Sequence, residues 1–287
     1  MKMTSAEFLD MTHNSETMKW QLPIVEKTTG GRGSLFGGVG LAAGVIALEE
    51  ASGKPAVWAT GQYLSTTQQP EIMDLEVVLP AIGRSVTQGR VVGHIGNREI
   101  ITILGACGQR PEEVAGVWQT FPDVPAPENC DLLVRNDSTG SLHQHIEIRL
   151  IEGMFGFSGQ GKPSGNGETR FWARMRDVHH DPGALAMIAD YMPSALGNAL
   201  ERVMHCTSID NTIRFANPAE SEWVLCVNRI VQVSNGFGYG LVHLWSDRGE
   251  LLATAGQSMI VRVPKDHRWS SARTPASEPM TAVSARG

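Results

Sequence analysis

This chain carries one order of elements twice, and such a duplication constrains a fold more than any single motif does. In the first copy, Gly30-Gly31-Arg32-Gly33-Ser34-Leu35-Phe36-Gly37-Gly38 opens a run of small and apolar residues from Val39 to Leu48. That run has no polar face. It predicts a helix buried on most sides, stopped by Gly53 and Pro55. Strand-like stretches follow at 57–65, 72–83, 87–96 and 99–109, with a hairpin at Gly96-Asn97 between the last two. In the second copy, strand-like 141–153 and 169–178 lead into helical 181–200, followed by strands at 211–217, 222–234, 237–246 and 250–263. Pro70 matches Pro218, Gly89 matches Gly236, and the Gly96-Asn97 turn matches Asp247-Arg248-Gly249. All three imply an offset of about 150 residues.

The expected fold is therefore a duplicated α+β unit, each half a central helix wrapped by an antiparallel sheet. Residues 1–120 form the first repeat and 136–267 the second. Between them lies a linker at 121–135, whose stretch Phe121–Asn129 holds three prolines in nine residues and reads as an extended connector. Residues 268–287 are rich in Ser, Ala and Pro without periodicity and read as a disordered tail.

Several function classes are disfavoured at once. A net charge of −6 argues against nucleic-acid or anionic-membrane partners. The first twenty residues hold no apolar run of signal-peptide length, and no stretch approaches the roughly 18 apolar residues needed to cross a bilayer. A soluble cytoplasmic protein is the expectation, which makes the Asn136-Asp137-Ser138 sequon a chance match. The four cysteines form no CxxC pair and read as small reduced hydrophobes.

Four motifs fail on inspection. Gly156-Phe157-Ser158-Gly159-Gln160-Gly161-Lys162 resembles a phosphate loop, but Pro163 stands where Ser or Thr would bind magnesium, and a strand follows instead of a helix. No GxGxxG lies between a strand and a helix, and no GxSxG elbow exists. His143 and His145 on one side of a strand, and His179-His180 before the second helix, have no acidic or cysteine partners at ligand spacing. No metal and no cofactor is expected.

Two polar residues stand in apolar surroundings, and a third stands at a strand entry. Asp190 lies in ALAMIADYMP just before Pro193, Ser208 lies at a strand start in CTSIDNTIRF, and Gln257 lies inside the strand ATAGQSMIVRV. A buried carboxylate must be paired, hydrogen-bonded or functional, and a strand amide needs partners. Taken singly, each is equally well read as a local cap, a turn residue or a satisfied core amide.

Their order and spacing resemble the type II acyl-CoA thioesterases, in which two fused hotdog repeats share one site. The resemblance runs from about Gly33 to Arg262 and includes Leu35-Phe36-Gly37-Gly38 at the start of the first helix. It implies a double hotdog fold, with Asp190, Ser208 and Gln257 holding a hydrolytic water and Gly37 and Gly38 as candidate oxyanion donors. The implied reaction hydrolyses acyl-CoA to free acid and CoA, without covalent intermediate, metal or cofactor. The expected partners are acyl-CoA and a second copy of the chain, as a homodimer or larger homo-oligomer. One segment departs from the family pattern: Asn211-Thr212-Ile213-Arg214-Phe215-Ala216 replaces a stretch rich in His and aromatics. That departure motivates an alternative, a non-catalytic acyl-CoA or lipid-binding protein. A third reading, hydration of enoyl-CoA, would draw on His179-His180-Asp181 ahead of Pro182.

Overall fold

The computed structural model describes residues 2–14, 16–30, 33–111, 115–134, 140–156, 158–216 and 219–262. Pro218, the Asn136-Asp137-Ser138 sequon, Phe157 and the tail from 268 onward lie outside them. The first half contains β1 (Lys19–Ile24), α1 (Gly37–Ser52), β2 (Ala56–Tyr63), β3 (Glu71–Ile82), β4 (Val86–Ile95) and β5 (Arg98–Gly108). The second contains β6 (Glu147–Glu152), β7 (Glu168–Arg174), α2 (Pro182–Ala189), β8 (His205–Ser208), β9 (Asp210–Phe215), β10 (Val224–Ser234), β11 (Phe237–Ser246) and β12 (Leu251–Arg262).

All these strands join one antiparallel sheet in the order β1-β3-β4-β5-β2-β9-β12-β11-β10-β7-β6, with β8 also on β12. The order reads the same from either end up to β7, so the fold is a double hotdog whose two sheets meet at β2 and β9. At that seam Thr60 pairs with Thr212, and their hydroxyls lie 2.7 Å apart. Equivalent residues follow from the register. Ala59 pairs with Gly105 across β2 and β5, and Thr212 pairs with Gly256 across β9 and β12. Asn211 and Gln257, one step along from that pair, therefore stand where the first half has Ala59 and Gly105.

The small residues of α1 have a packing reason. Residues Gly38 to Leu48 are all buried, between the sheet on one side and α2 on the other. A Cβ on Gly44 would come within 2.1 Å of Ile103 Cδ1, and one on Gly38 within 2.9 Å of the Ala186 carbonyl and Met187 Cα. Larger side chains would hold the helix off both neighbours. Gly53 ends it in the left-handed region at φ +63°, as expected of a C-terminal glycine. The second helix is half as long. After Ala189 the chain turns through Asp190, and Pro193 sits in the short 3-10 turn Met192–Ser194 before a last helical turn at Ala195–Ala199.

Two sequence readings are corrected. Gly89 and Gly236 are not equivalent. Gly89 lies in β4 against Leu48, whereas Gly236 lies in a turn at φ +78°, and the strand order equates Gly89 with Gly240, which lies against Met192. His143 is not on a strand, since Leu142–Gln144 is a 3-10 turn and the strand begins only at Glu147. The proline-rich connector lies against the second half: Trp172 Nε1 donates to the Pro125 carbonyl at 2.9 Å, and Phe121 packs edge-on against Trp245.

Candidate active site

Asp190 closes α2 as its C-terminal cap and is 6% exposed. Its side chain reaches into the other half of the molecule. The Gly38 amide, in the first turn of α1, donates to Asp190 Oδ2 at 2.7 Å. The positive end of that helix dipole favours a carboxylate there. Gln257 Nε2 donates to Asp190 Oδ1 at 2.7 Å, and Asn211 Nδ2 does so weakly at 3.4 Å. Gln257 Nε2 also donates to Ser208 Oγ at 2.6 Å. Asp190, Ser208 and Gln257 are thus one connected group, although 67 residues separate the first from the last.

Local chain geometry explains why these side chains meet. Gln257 alternates inward with Ala255 and Met259 along β12, so its amide faces the helices. Ser208 ends β8, and Ile209 breaks the run before β9 begins at Asp210. The break is pinned on both sides: Ile209 N–H donates to the Ser258 carbonyl, and Ser258 N–H donates to Asp210 Oδ1. Asn211 then alternates inward with Ile213.

Burial dominates the electrostatics. It raises the Asp190 carboxyl from 3.8 to about 6, while the hydrogen bonds from Gly38, Gln257 and Asn211 pull the other way. The carboxylate is therefore mostly ionised at neutral pH yet basic enough to take a proton. Around it, three buried polar atoms have no hydrogen-bond partner of ordinary geometry: Gln257 Oε1, Asn211 Oδ1 and Tyr63 Oη. The Gly37 amide, first in α1, makes no hydrogen bond among the described residues. Of the two candidate oxyanion donors, Gly38 is thus committed to Asp190.

Two neighbours of the group escaped the sequence reading. Asn211 had a usable signal, a polar residue on the inward face of a strand. Tyr63 had none, because a tyrosine at a strand end is ordinary. Cavities of 410, 540 and 400 Å³ lie elsewhere, and none is lined by Asp190, Ser208 or Gln257. The 410 Å³ cavity borders His179, His180 and Asp181. Those residues are structural. Asp181 caps α2 through the Ala184 amide and takes the Ser5 N–H, and His180 bridges the Met175 amide and the Ser221 carbonyl. Burial lowers His180 to about 4, so it stays neutral. Among the described residues no three His, Cys, Asp or Glu side chains converge as a metal site, and no helix is long and apolar enough to cross a membrane.

Comparison with known proteins gives this arrangement a context. Residues 120–261 match the family described as the acyl-CoA thioesterase C-terminal domain. A Novosphingobium aromaticivorans protein assigned as a thioesterase superposes with a TM-score of 0.79 at 29% identity, over 88% of this chain and 98% of that one. A hot dog fold protein of unknown function from Alicyclobacillus acidocaldarius gives 0.77 at 20% identity, over 88% and 96%. The acyl-CoA thioesterase II TesB2 of Mycobacterium marinum gives 0.69 at 17% identity, over 91% and 98%. No curated protein matches the chain by sequence.

Proposed function

Because residues 120–261 match the acyl-CoA thioesterase C-terminal domain family and the chain has a double hotdog fold, we propose that it hydrolyses acyl-CoA thioesters with a water held by Asp190, Ser208 and Gln257. One observation carries the reading. A buried carboxylate titrating near 6 is flanked by unpartnered acceptors on Gln257 and Asn211. Buried polar groups are nearly always satisfied, so this group is built to hold a polar guest.

The chemistry follows from the donor and acceptor inventory. A water donates one hydrogen to Asp190 and the other to Gln257 Oε1. The Ser208 hydroxyl accepts from Gln257 and has its own hydrogen left to steer the water oxygen. The water oxygen attacks the thioester carbonyl carbon while Asp190 takes its proton. The carbonyl π electrons move onto oxygen, where the Gly37 amide at the head of α1 donates to the developing charge. Collapse of this intermediate breaks the carbon–sulfur bond, and the proton on Asp190 passes to the departing sulfur. The products are the carboxylic acid and the free thiol of CoA.

The test is release of free thiol from acyl-CoAs spanning short to long chains. Turnover by the wild-type protein is expected, and its absence at every chain length would overturn the reading. A homodimer is part of the same proposal. Leu104 and Leu241 stand exposed on the outer face of the sheet, opposite the helices. Sedimentation equilibrium giving twice the chain mass would support it, and a monomer at all concentrations would reject it.

A further inference from the structure

We propose that Tyr63, contributed by the first half, is an oxyanion donor: its hydroxyl hydrogen-bonds the thioester carbonyl oxygen together with the Gly37 amide. This deepens the hydrolase reading above and rests on it.

The side chain is half-buried as a whole, but its hydroxyl is buried and makes no hydrogen bond of ordinary geometry, only a loose contact with the Asn211 side chain. Its position is set by the seam. The Tyr63 amide donates to the Ile209 carbonyl at 3.0 Å, which places β2 directly beside the break that carries Ser208. The ring then faces the head of α1. A Cβ built on Gly37 would lie 3.1 Å from Tyr63 Oη and 3.0 Å from Asp190 Oδ2, so the bare face of Gly37 looks onto both groups. A phenol, a helix-start amide and a carboxylate are thus neighbours at one point of the fold. Two of the three are donors, and the third is the base.

The protonation state suits the role. Burial, reinforced by the charges of Asp190 and Asp210 and only partly offset by the Asn211 side chain, holds the Tyr63 phenol well above its usual range, so the hydroxyl stays protonated at neutral pH. The pseudo-twofold adds a second argument. Tyr63 pairs with Ile101 as Phe215 pairs with Ala253, so the equivalent residue of the second half is phenylalanine. The fold itself therefore accepts a ring without a hydroxyl at this position. A buried hydroxyl without a well-formed hydrogen bond opposes folding, which points to a use outside stability.

Tyr63→Phe provides the test. The expected result is a fall in kcat of about 10²-fold, the range seen when one oxyanion donor is removed. KM should change little, and Tm should rise because the orphan hydroxyl is gone. Activity and stability moving in opposite directions is what a purely structural tyrosine would not produce. A second measurement is independent of turnover. In an Asp190→Asn background, the stretch of a ¹³C-labelled thioester carbonyl in bound acyl-CoA should shift to lower wavenumber, and adding Tyr63→Phe should reverse most of that shift.

Unchanged kcat in Tyr63→Phe, or a carbonyl stretch indifferent to it, would overturn the assignment. If the wild type shows no turnover but the carbonyl shift depends on Tyr63, hydrolysis falls and the donor role stands. Failure of acyl-CoA to bind at all would overturn both.

Discussion

The two halves share one chain path but hold different contents where helix meets sheet. In the first half α1 runs 16 residues without interruption, and Ala59 and Gly105 let it settle onto the strands, with Leu48 closing over Gly105. In the second half α2 stops after eight residues, and Asn211 and Gln257 occupy the matching strand positions. Where the helix is shortened, a polar cluster stands in place of an apolar packing layer. Asp190 sits at the point of interruption, where Pro193 prevents the helix from continuing. A helix end leaves unsatisfied backbone groups, and here the residue that caps it is a carboxylate.

Substitutions can break this contrast or sharpen it. The largest effect is expected from Asp190→Asn, which keeps the shape but removes the base. Thiol release should fall by about 10²- to 10⁴-fold, the usual contribution of a general base, while the circular dichroism spectrum is retained. Retention of most activity would mean that Asp190 only orients the water.

The next effect concerns stability against pH. Asp190 binds its proton more tightly in the folded state, near 6, than in the unfolded chain, near 3.8. Its contribution is therefore complete below about 4 and is lost as pH rises through about 6. Two pK units correspond to roughly 3 kcal/mol, and this loss should vanish in Asp190→Asn. Urea midpoints measured from pH 4 to pH 8 would show it as a difference between the two proteins. The same ionisation predicts that kcat/KM declines below about pH 6, because the protonated carboxyl cannot accept a proton.

Gly38→Ala comes third. Its new methyl would meet Asp190 Cβ, the Ala186 carbonyl and Met187 Cα at 2.8 to 2.9 Å, which are backbone or backbone-adjacent atoms that cannot swing aside. A destabilisation of about 1–3 kcal/mol is expected from such overpacking, read as a lower urea midpoint, together with lost activity.

The smallest and most diagnostic comparison pairs Gln257→Ala with Gly105→Ala, equivalent positions in the two halves. Gln257→Ala removes a donor from Asp190, so the acid limb of the pH–rate profile should move upward and kcat should fall. Gly105→Ala brings a methyl within 2.8 Å of Leu48 Cδ1 and should lower stability while leaving the pH profile in place. Identical effects on the profile would erase the distinction between the halves.

Much of this was legible in the sequence because it is local. Proline and glycine turns, the faceless run in α1 and the alternation of the strands each fix a nearby conformation, and together they exposed the duplication. Asp190 and Gln257 stood out as polar residues in apolar segments, whereas Ser208 came forward only through the family resemblance. What stayed hidden depends on contacts across the seam. Nothing near Tyr63 announces that its hydroxyl faces a carboxylate from the other half. Nor does a glycine declare its purpose: Gly89 relieves a contact with Leu48 and Gly236 makes a turn, and the two look alike in a string of letters. His143 misled for a similar reason, since SLHQHIEI alternates like a strand throughout and only its second part is one.

The hydrogen bond between the Gly38 amide and Asp190 has a consequence for how the halves depend on each other. The proposed base is held by a helix from the first half, and Tyr63 reaches over from that half as well. Neither half alone owns a complete set of reacting groups. On the proposed mechanism, turnover then reports assembly: a chain whose halves part should release no thiol. The rate of thiol release becomes a gauge of how firmly the seam at Thr60 and Thr212 is closed.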